Sequence, residues 1–465
     1  MSSMNINIPR LRITVYRQVL SPSLQICCRF SSTTTTATAT TNTTTQPNIK
    51  ILDKDYETDQ WTNVGPAILS RVPRKLLLQP SHPLSIIKSI IESQFSHKEY
   101  TSYNNLSPIV STYDNFDSLN FPQNHPGRSR TDTYYVNKNT VLRTHTSAHQ
   151  ATAFQNSPTP GYLIAADVYR RDEIDRSHYP AFHQMEGART WDLNENTDPQ
   201  ELARQIDDLT AKIPRTDIRI VDEKPPFHEG NPKQAHHTDE VCIAVGNHMK
   251  RTLENVVTEI FNRASLAAGE NASKERLQVR WIDAYFPFTS PSWEMEVFWN
   301  GDWLELFGSG VVQQEVFDSA KVKNKVGWAF GLGLERLAMV LFGIPDIRLF
   351  WSENPKFLRQ FEPGVVSHFK PFSTFEGSTR DISFWLGDSQ LHENDFMEIV
   401  RNKAGDLVES VELVDKFTNR KTGRTSLCFR INYNAMDRIL KRDDVNVLND
   451  QIRSELQARF GVDMR

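Results

Sequence analysis

Three stretches of this chain bring together residue types that can do chemistry. The first runs from Asp167 to Gly187. An apolar segment, Tyr162 to Tyr169, reads as a strand that enters a polar loop, and a second strand leaves the loop. Arg170, at the end of the first strand, can grip a phosphate through its rigid bidentate fork. Phe182 offers a flat face to a base. Gln184 and Glu186 stand two apart on a strand, so both point to one face and together could receive an ammonium group. A charged hairpin with a solvated loop would contain the same residues.

The second stretch is Tyr285-Phe286-Pro287-Phe288-Thr289. Proline in a strand predicts a bulge or an edge. The two phenylalanines around it face the same way and could hold an aromatic ligand edge to face, although alone the pattern equally describes core packing. The third stretch is Gly327-Trp328-Ala329-Phe330-Gly331-Leu332-Gly333-Leu334-Glu335-Arg336. Its glycines let another group approach the backbone, and Arg336 falls in the first turn of the helix that follows. A lone helical arginine is ordinarily solvated; one set directly after Gly-x-Gly-x-Glu is far less ordinary.

Strands must carry these groups. Glu294 to Trp299 alternates, and Asn300-Gly301 is a strong hairpin signal before Trp303 to Phe307, which predicts an antiparallel sheet. Upstream, Trp61 to Tyr100 reads as helical, and the prolines around Phe121-Pro122 and His125-Pro126-Gly127-Arg128 mark a loop. Residues 198–269 form a charged, helical insertion. It contains His228, His236, His237 and His248 at no metal-site spacing. A Gly-x-Gly turn at 331–333 should lead into a helix that Gly343 and Pro345 close. Residues 346–366 read as a linker at which the parts on either side could hinge. Residues 367–465 read β-α-β-β-α with a further terminal strand, the ferredoxin-like order.

Composition narrows the class. The chain has 465 residues, 38% hydrophobic and 24% charged, with a net charge of -4. No apolar run approaches the roughly 18 residues of a membrane span, so no membrane partner is expected. Cys27 and Cys28 are adjacent, while Cys242 and Cys428 stand alone, so neither disulfides nor a structural zinc is expected. The first acid is Asp53; before it come Arg10, Arg12, Arg17, Arg29, Lys50 and a threonine tract. Arg-rich, Ser/Thr-rich and acid-poor is the composition of an organelle transit peptide, assigned with its spacer to residues 1–48.

The hairpin around Arg170 and the helix around Arg336 resemble motifs 2 and 3 of class II aminoacyl-tRNA synthetases. Arg143-Thr144-His145-Thr146-Ser147, Phe182-His183-Gln184-Met185-Glu186-Gly187, Phe286-Pro287-Phe288 and the loop Phe121–Arg128 are similar to phenylalanyl-tRNA synthetases in particular. Residues 367–465 resemble their ferredoxin-fold anticodon-binding domain, and the single-chain layout resembles the monomeric mitochondrial form. The resemblance implies an α+β fold: a class II antiparallel sheet flanked by helices over residues 49–345, with the smaller domain appended. It implies a monomer of the mitochondrial matrix that joins L-phenylalanine to mitochondrial tRNA(Phe), using ATP with Mg2+.

The resemblance also implies roles. Arg170 would bind the ATP α-phosphate and Arg336 the γ-phosphate, as the catalytic pair. Arg171, Asp172, His178, Tyr179 and Gly333 would lie around the nucleotide, with Phe182 on adenine. His145, Ser147, Ala148, His149, Gln150, Gln184 and Glu186 would surround the amino acid's backbone, while Phe286, Phe288, Ala329, Phe330 and Glu305 would enclose its ring. Many bacterial relatives carry an acid directly after Phe-Pro-Phe-Thr, associated with magnesium. Here the position is Ser290, which leaves Glu294 and Glu305 as metal candidates. Lys416, Arg420, Lys421, Arg424 and Arg430 would meet RNA, within a run from Lys416 to Arg442 that holds one acid, Asp437. Two rivals remain: an enzyme that activates an acid without charging RNA, and an inactive RNA-binding paralogue, which should have lost Arg170 or Arg336.

Overall fold

The computed structural model describes residues 48–221, 224–268, 276–299, 301–371, 377–387 and 390–465. The leader and its two adjacent cysteines lie outside them. An eight-stranded sheet dominates. Its strands in chain order are β1 (Tyr100–Tyr103), β2 (Gly161–Tyr169), β3 (Ala181–Asp192), β4 (Arg219–Val221), β5 (Gln278–Asp283), β6 (Thr289–Trp299), β7 (Asp302–Val312) and β8 (Lys325–Gly333). They are arranged β1-β2-β3-β8-β7-β6-β5-β4, antiparallel except for the two outermost pairs.

Side chains alternate across this sheet, and the alternation separates a core from a cleft. Leu163, Ala165, Met185, Phe307, Phe330 and Leu332 point to one side. There they pack under the helices Pro83–Glu92, Asp239–Ala268 and Leu334–Phe342. The other side is open around the β3-β8-β7 centre. The register places Gly333 opposite Gln184, Gly331 opposite Glu186, and Gly308 opposite Gly331. Gly331 and Gly333 have no atom within 4 Å of where a Cβ would sit. The floor of the cleft there is bare backbone.

Several elements differ from the sequence reading. Between Trp61 and Tyr100 the long helix is replaced by short turns and one ten-residue helix, Pro83–Glu92, because Pro66, Pro73, Pro80 and Pro83 punctuate the segment. Gly331-Leu332-Gly333 is the end of β8 rather than a turn, and the helix begins at Leu334 without one. Residues 346–366 are packed rather than free. They hold the 3-10 helix Ile347–Trp351 and the turn Pro355–Leu358, with Phe350, Trp351, Phe357 and Phe361 buried.

The C-terminal unit has β9 (Ser378–Trp385), the helix Glu393–Ala404, β10 (Val408–Thr418), β11 (Thr425–Tyr433), the helix Arg442–Phe460 and β12 (Asp463–Met464). The sheet order is β10-β11-β9-β12, with Phe384, Phe396 and Phe429 stacked between sheet and helices. This unit is docked on the loop between β2 and β3. Arg401 donates to the carbonyls of Asp172 and Glu173, Arg171 pairs with Asp395 at 3.0 Å, and Tyr134 donates to Glu398 at 2.8 Å. Arg348, buried in the linking segment, donates to the carbonyls of Asp406 and Asn434.

Candidate active site

Arg170 follows the last residue of β2, where its backbone N–H still donates to Pro180 across the hairpin. Its Nε donates to the Thr144 carbonyl at 2.8 Å, and its guanidinium lies 5.1 Å from the centre of the Phe182 ring. Arg336 stands beyond the open end of the glycine floor. It reaches Glu305 at 3.5 Å, and Glu294 lies beside that pair. Burial and the neighbouring carboxylates of Glu305 and Glu296 push Glu294 up to about 7; burial also raises Glu305, against the pull of Arg336. Two oxygen-donor groups that favour protonation when alone are groups a hard divalent cation would discharge.

Beneath Arg170 lies an acceptor site. Glu186 is 2% exposed and accepts from Ser147 Oγ at 2.5 Å, Thr146 Oγ1 at 3.1 Å and Tyr162 OH at 3.1 Å. Burial raises its pKa while the three donors oppose the rise. Gln184, on the same face, accepts from the Thr146 N–H at 3.3 Å. His145 stacks on Phe121 with ring centres 5.5 Å apart, and the backbone of Asn115 lies against its ring. Burial and the charge of Arg170 hold it at about 3, so the ring is neutral.

The apolar end is built by Phe286 and Phe288. Their rings are 5.8 Å apart and tilted by 16°. Both lie on the loop between β5 and β6 rather than in a strand, since Pro287 cannot join the ladder. Phe286 closes on Gly308, where a Cβ would come within 2.8 Å of its ring. Phe288 meets Phe121 at 6.2 Å. Ala329 pairs with Ala188 and Gly310 and belongs to the same apolar cluster as Phe288.

Other expected site residues lie elsewhere. Phe330 points to the opposite face of β8, stacked on Phe95 and edge-on to Phe307, because adjacent residues of a strand cannot share a face. Ala148 packs with Val110, Tyr135 and Val141, and His149 bonds Arg143 at 2.9 Å behind the wall. Gln150 is buried near Tyr162. The Arg171 side chain is committed to the domain junction, and Asp172 offers its carbonyl there. Tyr179 donates to Asp406 at 2.6 Å. His178 is held by Asp175 at 2.7 Å; burial would lower its pKa, but that bond and the surrounding carboxylates raise it. On the C-terminal unit, Arg424 pairs with Asp463 and Arg430 with Asp381, while Lys416, Arg420 and Lys421 are exposed.

Sequence reasoning missed the donors Thr146 and Tyr162. It also missed the buried His183–Glu335 contact and an aromatic patch on the open face of the C-terminal sheet. In that patch Trp385 meets Phe417 and lies under Arg424 and Arg465. Strand alternation alone puts Tyr162 on the side of Glu186, so that signal was available.

An antiparallel sheet with one arginine after a β-hairpin strand and a second on a helix beyond a glycine strand is the catalytic core of class II aminoacyl-tRNA synthetases. Residues 72–240 and 243–361 match the model of the tRNA synthetases class II core domain (F), and residues 373–465 match the ferredoxin-fold anticodon binding domain. The chain is 47% identical over 448 residues to the mitochondrial phenylalanine–tRNA ligase of Saccharomyces cerevisiae, covering 90% of this chain and 95% of the relative. It is 41% identical to the mitochondrial enzyme of Mus musculus, covering 90% and 89%. A phenylalanine–tRNA ligase alpha subunit from Prochlorococcus marinus is 32% identical over 60% of this chain and 65% of its own length. The chain belongs to the phenylalanine–tRNA ligase family.

Proposed function

We propose that this protein activates L-phenylalanine with ATP and transfers the acyl group to mitochondrial tRNA(Phe), working as a monomer in the mitochondrial matrix. The observation that carries the reading is the cleft itself. A bare backbone floor lies between Arg170 and Arg336, with the buried acceptor Glu186 and the Phe286–Phe288 pair on one wall. In the first step the carboxylate oxygen of phenylalanine forms a bond to the α-phosphorus, and the bond to the β-phosphate oxygen breaks, releasing diphosphate. In the second a ribose hydroxyl of the tRNA attacks the acyl carbon, and AMP leaves.

Charge and shape support the roles that membership of the family implies. Arg170 holds the α-phosphate and Arg336 the γ-phosphate; the two fixed cations keep ATP in line and stabilise charge on the five-coordinate phosphorus. Phe182 stacks on adenine, once the guanidinium of Arg170 turns from the ring toward phosphate. Glu186, with Ser147, Gln184 and neutral His145, holds the ammonium and carboxylate ends, and Phe286, Phe288 and Ala329 enclose the ring. Glu294 and Glu305 would hold magnesium together with ATP, where it would neutralise phosphate charge. The exposed Lys416, Arg420 and Lys421 meet the RNA backbone, and residues 1–48 direct import. Phenylalanine-dependent exchange of diphosphate into ATP, followed by charging of mitochondrial and cytosolic tRNA, tests the reading. Exchange without charging would favour a tRNA-independent activating enzyme.

A further inference from the structure

Between the two nucleotide-side elements lies a buried contact that no step of the reaction uses. Glu335, 3% exposed in the first turn of the helix Leu334–Phe342, accepts twice from one residue of β3. It takes the backbone N–H of His183 at 2.8 Å and its Nδ1 at 2.6 Å, and His183 is 2% exposed. The ring of Trp351 stacks on His183 at 5.6 Å from the other side.

The contact sits where the sheet stops tying these elements together. The β3–β8 ladder ends at Gly333 opposite Gln184. Beyond that point Phe182 pairs only with β2, through Val168, and the chain after Gly333 has turned into helix. Gly331 and Gly333 carry no side chains to wedge the helix start. Among the described residues, Glu335 makes the only side-chain hydrogen bonds between the helix Leu334–Phe342 and β3. Phe182 is one residue from one end of this tie, and Arg336 is one residue from the other.

We infer that His183 and Glu335 form a positioning pair for adenylate formation: their double hydrogen bond sets the separation and rotation of Phe182 and Arg336, and so the fit of ATP. A bidentate carboxylate fixes direction as well as distance. Neither residue touches substrate. The inference rests on the assignment of Phe182 and Arg336 to ATP proposed above.

The experiment is phenylalanine-dependent diphosphate exchange with the full chain, comparing Glu335→Gln, His183→Asn and Arg336→Ala. Thermal unfolding is recorded with and without phenylalanine. Glu335→Gln should raise KM for ATP about tenfold while KM for phenylalanine stays within a factor of about two. His183→Asn should show the same split, and the double variant should be no worse than the weaker single. Unchanged KM for ATP, or parallel rises in both KM values, would overturn the positioning role. So would loss of the thermal transition in both single variants, since the pair would then be a folding requirement. Arg336→Ala separates the two layers. If it leaves KM for ATP alone, the ATP assignment fails; if it responds and Glu335→Gln does not, only the pair fails.

Discussion

The guanidinium of Arg170 lies 5.1 Å over the ring of Phe182, so the group assigned to phosphate covers the surface assigned to adenine. On the proposed assignments, adenine on that face of Phe182 requires Arg170 to swing off the ring. Arg170→Ala should lower kcat for diphosphate exchange by about 10²-fold or more, and Arg170→Lys should recover little, because an ammonium cannot reproduce the planar fork. Steady-state exchange kinetics check this.

Ala329, paired with Ala188 and Gly310, is the residue proposed to set the depth of the apolar end. Ala329→Gly should admit para-substituted phenylalanines, improving their kcat/KM relative to phenylalanine by roughly tenfold, the scale of one methyl group in a pocket. Absence of any gain would remove position 329 from the pocket.

Glu294 predicts a pH dependence. Its folded-state pKa of about 7 stands above the ordinary 4.5, so the folded protein retains a proton that the unfolded chain releases. This group's contribution to stability is therefore lost as pH rises from about 4.5 to about 7. Glu294→Gln should flatten that part of the melting-temperature profile. Uptake of Mg2+·ATP near pH 7 should release protons that the variant does not, measurable by calorimetry in buffers of different ionisation enthalpy.

Arg401 is a buried cation at the domain junction, with Glu398 and two loop carbonyls as partners. Arg401→Ala removes the nearer of two cations from the buried Glu398, which keeps Tyr134, Asn402 and Arg171 as partners, and should cost about 1.5–3 kcal/mol. The loss should fall on docking of the C-terminal unit, read as a larger radius in solution scattering.

Among the basic residues of that unit, Arg420 and Lys421 are exposed at the hairpin tip, whereas Arg430 is paired with Asp381. Replacing both tip residues by alanine should weaken tRNA binding and reduce the slope of log K against log salt by roughly 1.4 to 1.8. Arg430→Ala should change it less.

What could be read in advance follows range and period. The β6–β7 hairpin was legible because Glu294 to Trp299 alternates before Gly301, whose φ of +89° suits the turn. The ferredoxin-like order was legible for the same reason. Long-range partners were not legible. Asp381 and Asp463 neutralise arginines of a segment that, read alone, holds one acid. Tyr134 and Glu398 meet across 264 residues, and no local pattern announces such a contact. Phe330 was misplaced through adjacency to Ala329, although the strand period would have turned it away.

The bare floor at Gly331 and Gly333 has a consequence for how selectivity can change. A ligand resting there lies on peptide planes whose positions are set by the interstrand ladder, so its seat is as stiff as the sheet and owes nothing to rotamers. Substitution at either glycine adds bulk and raises the seat. Variation in what is accepted must therefore come from the walls, while the level at which every ligand lies stays constant.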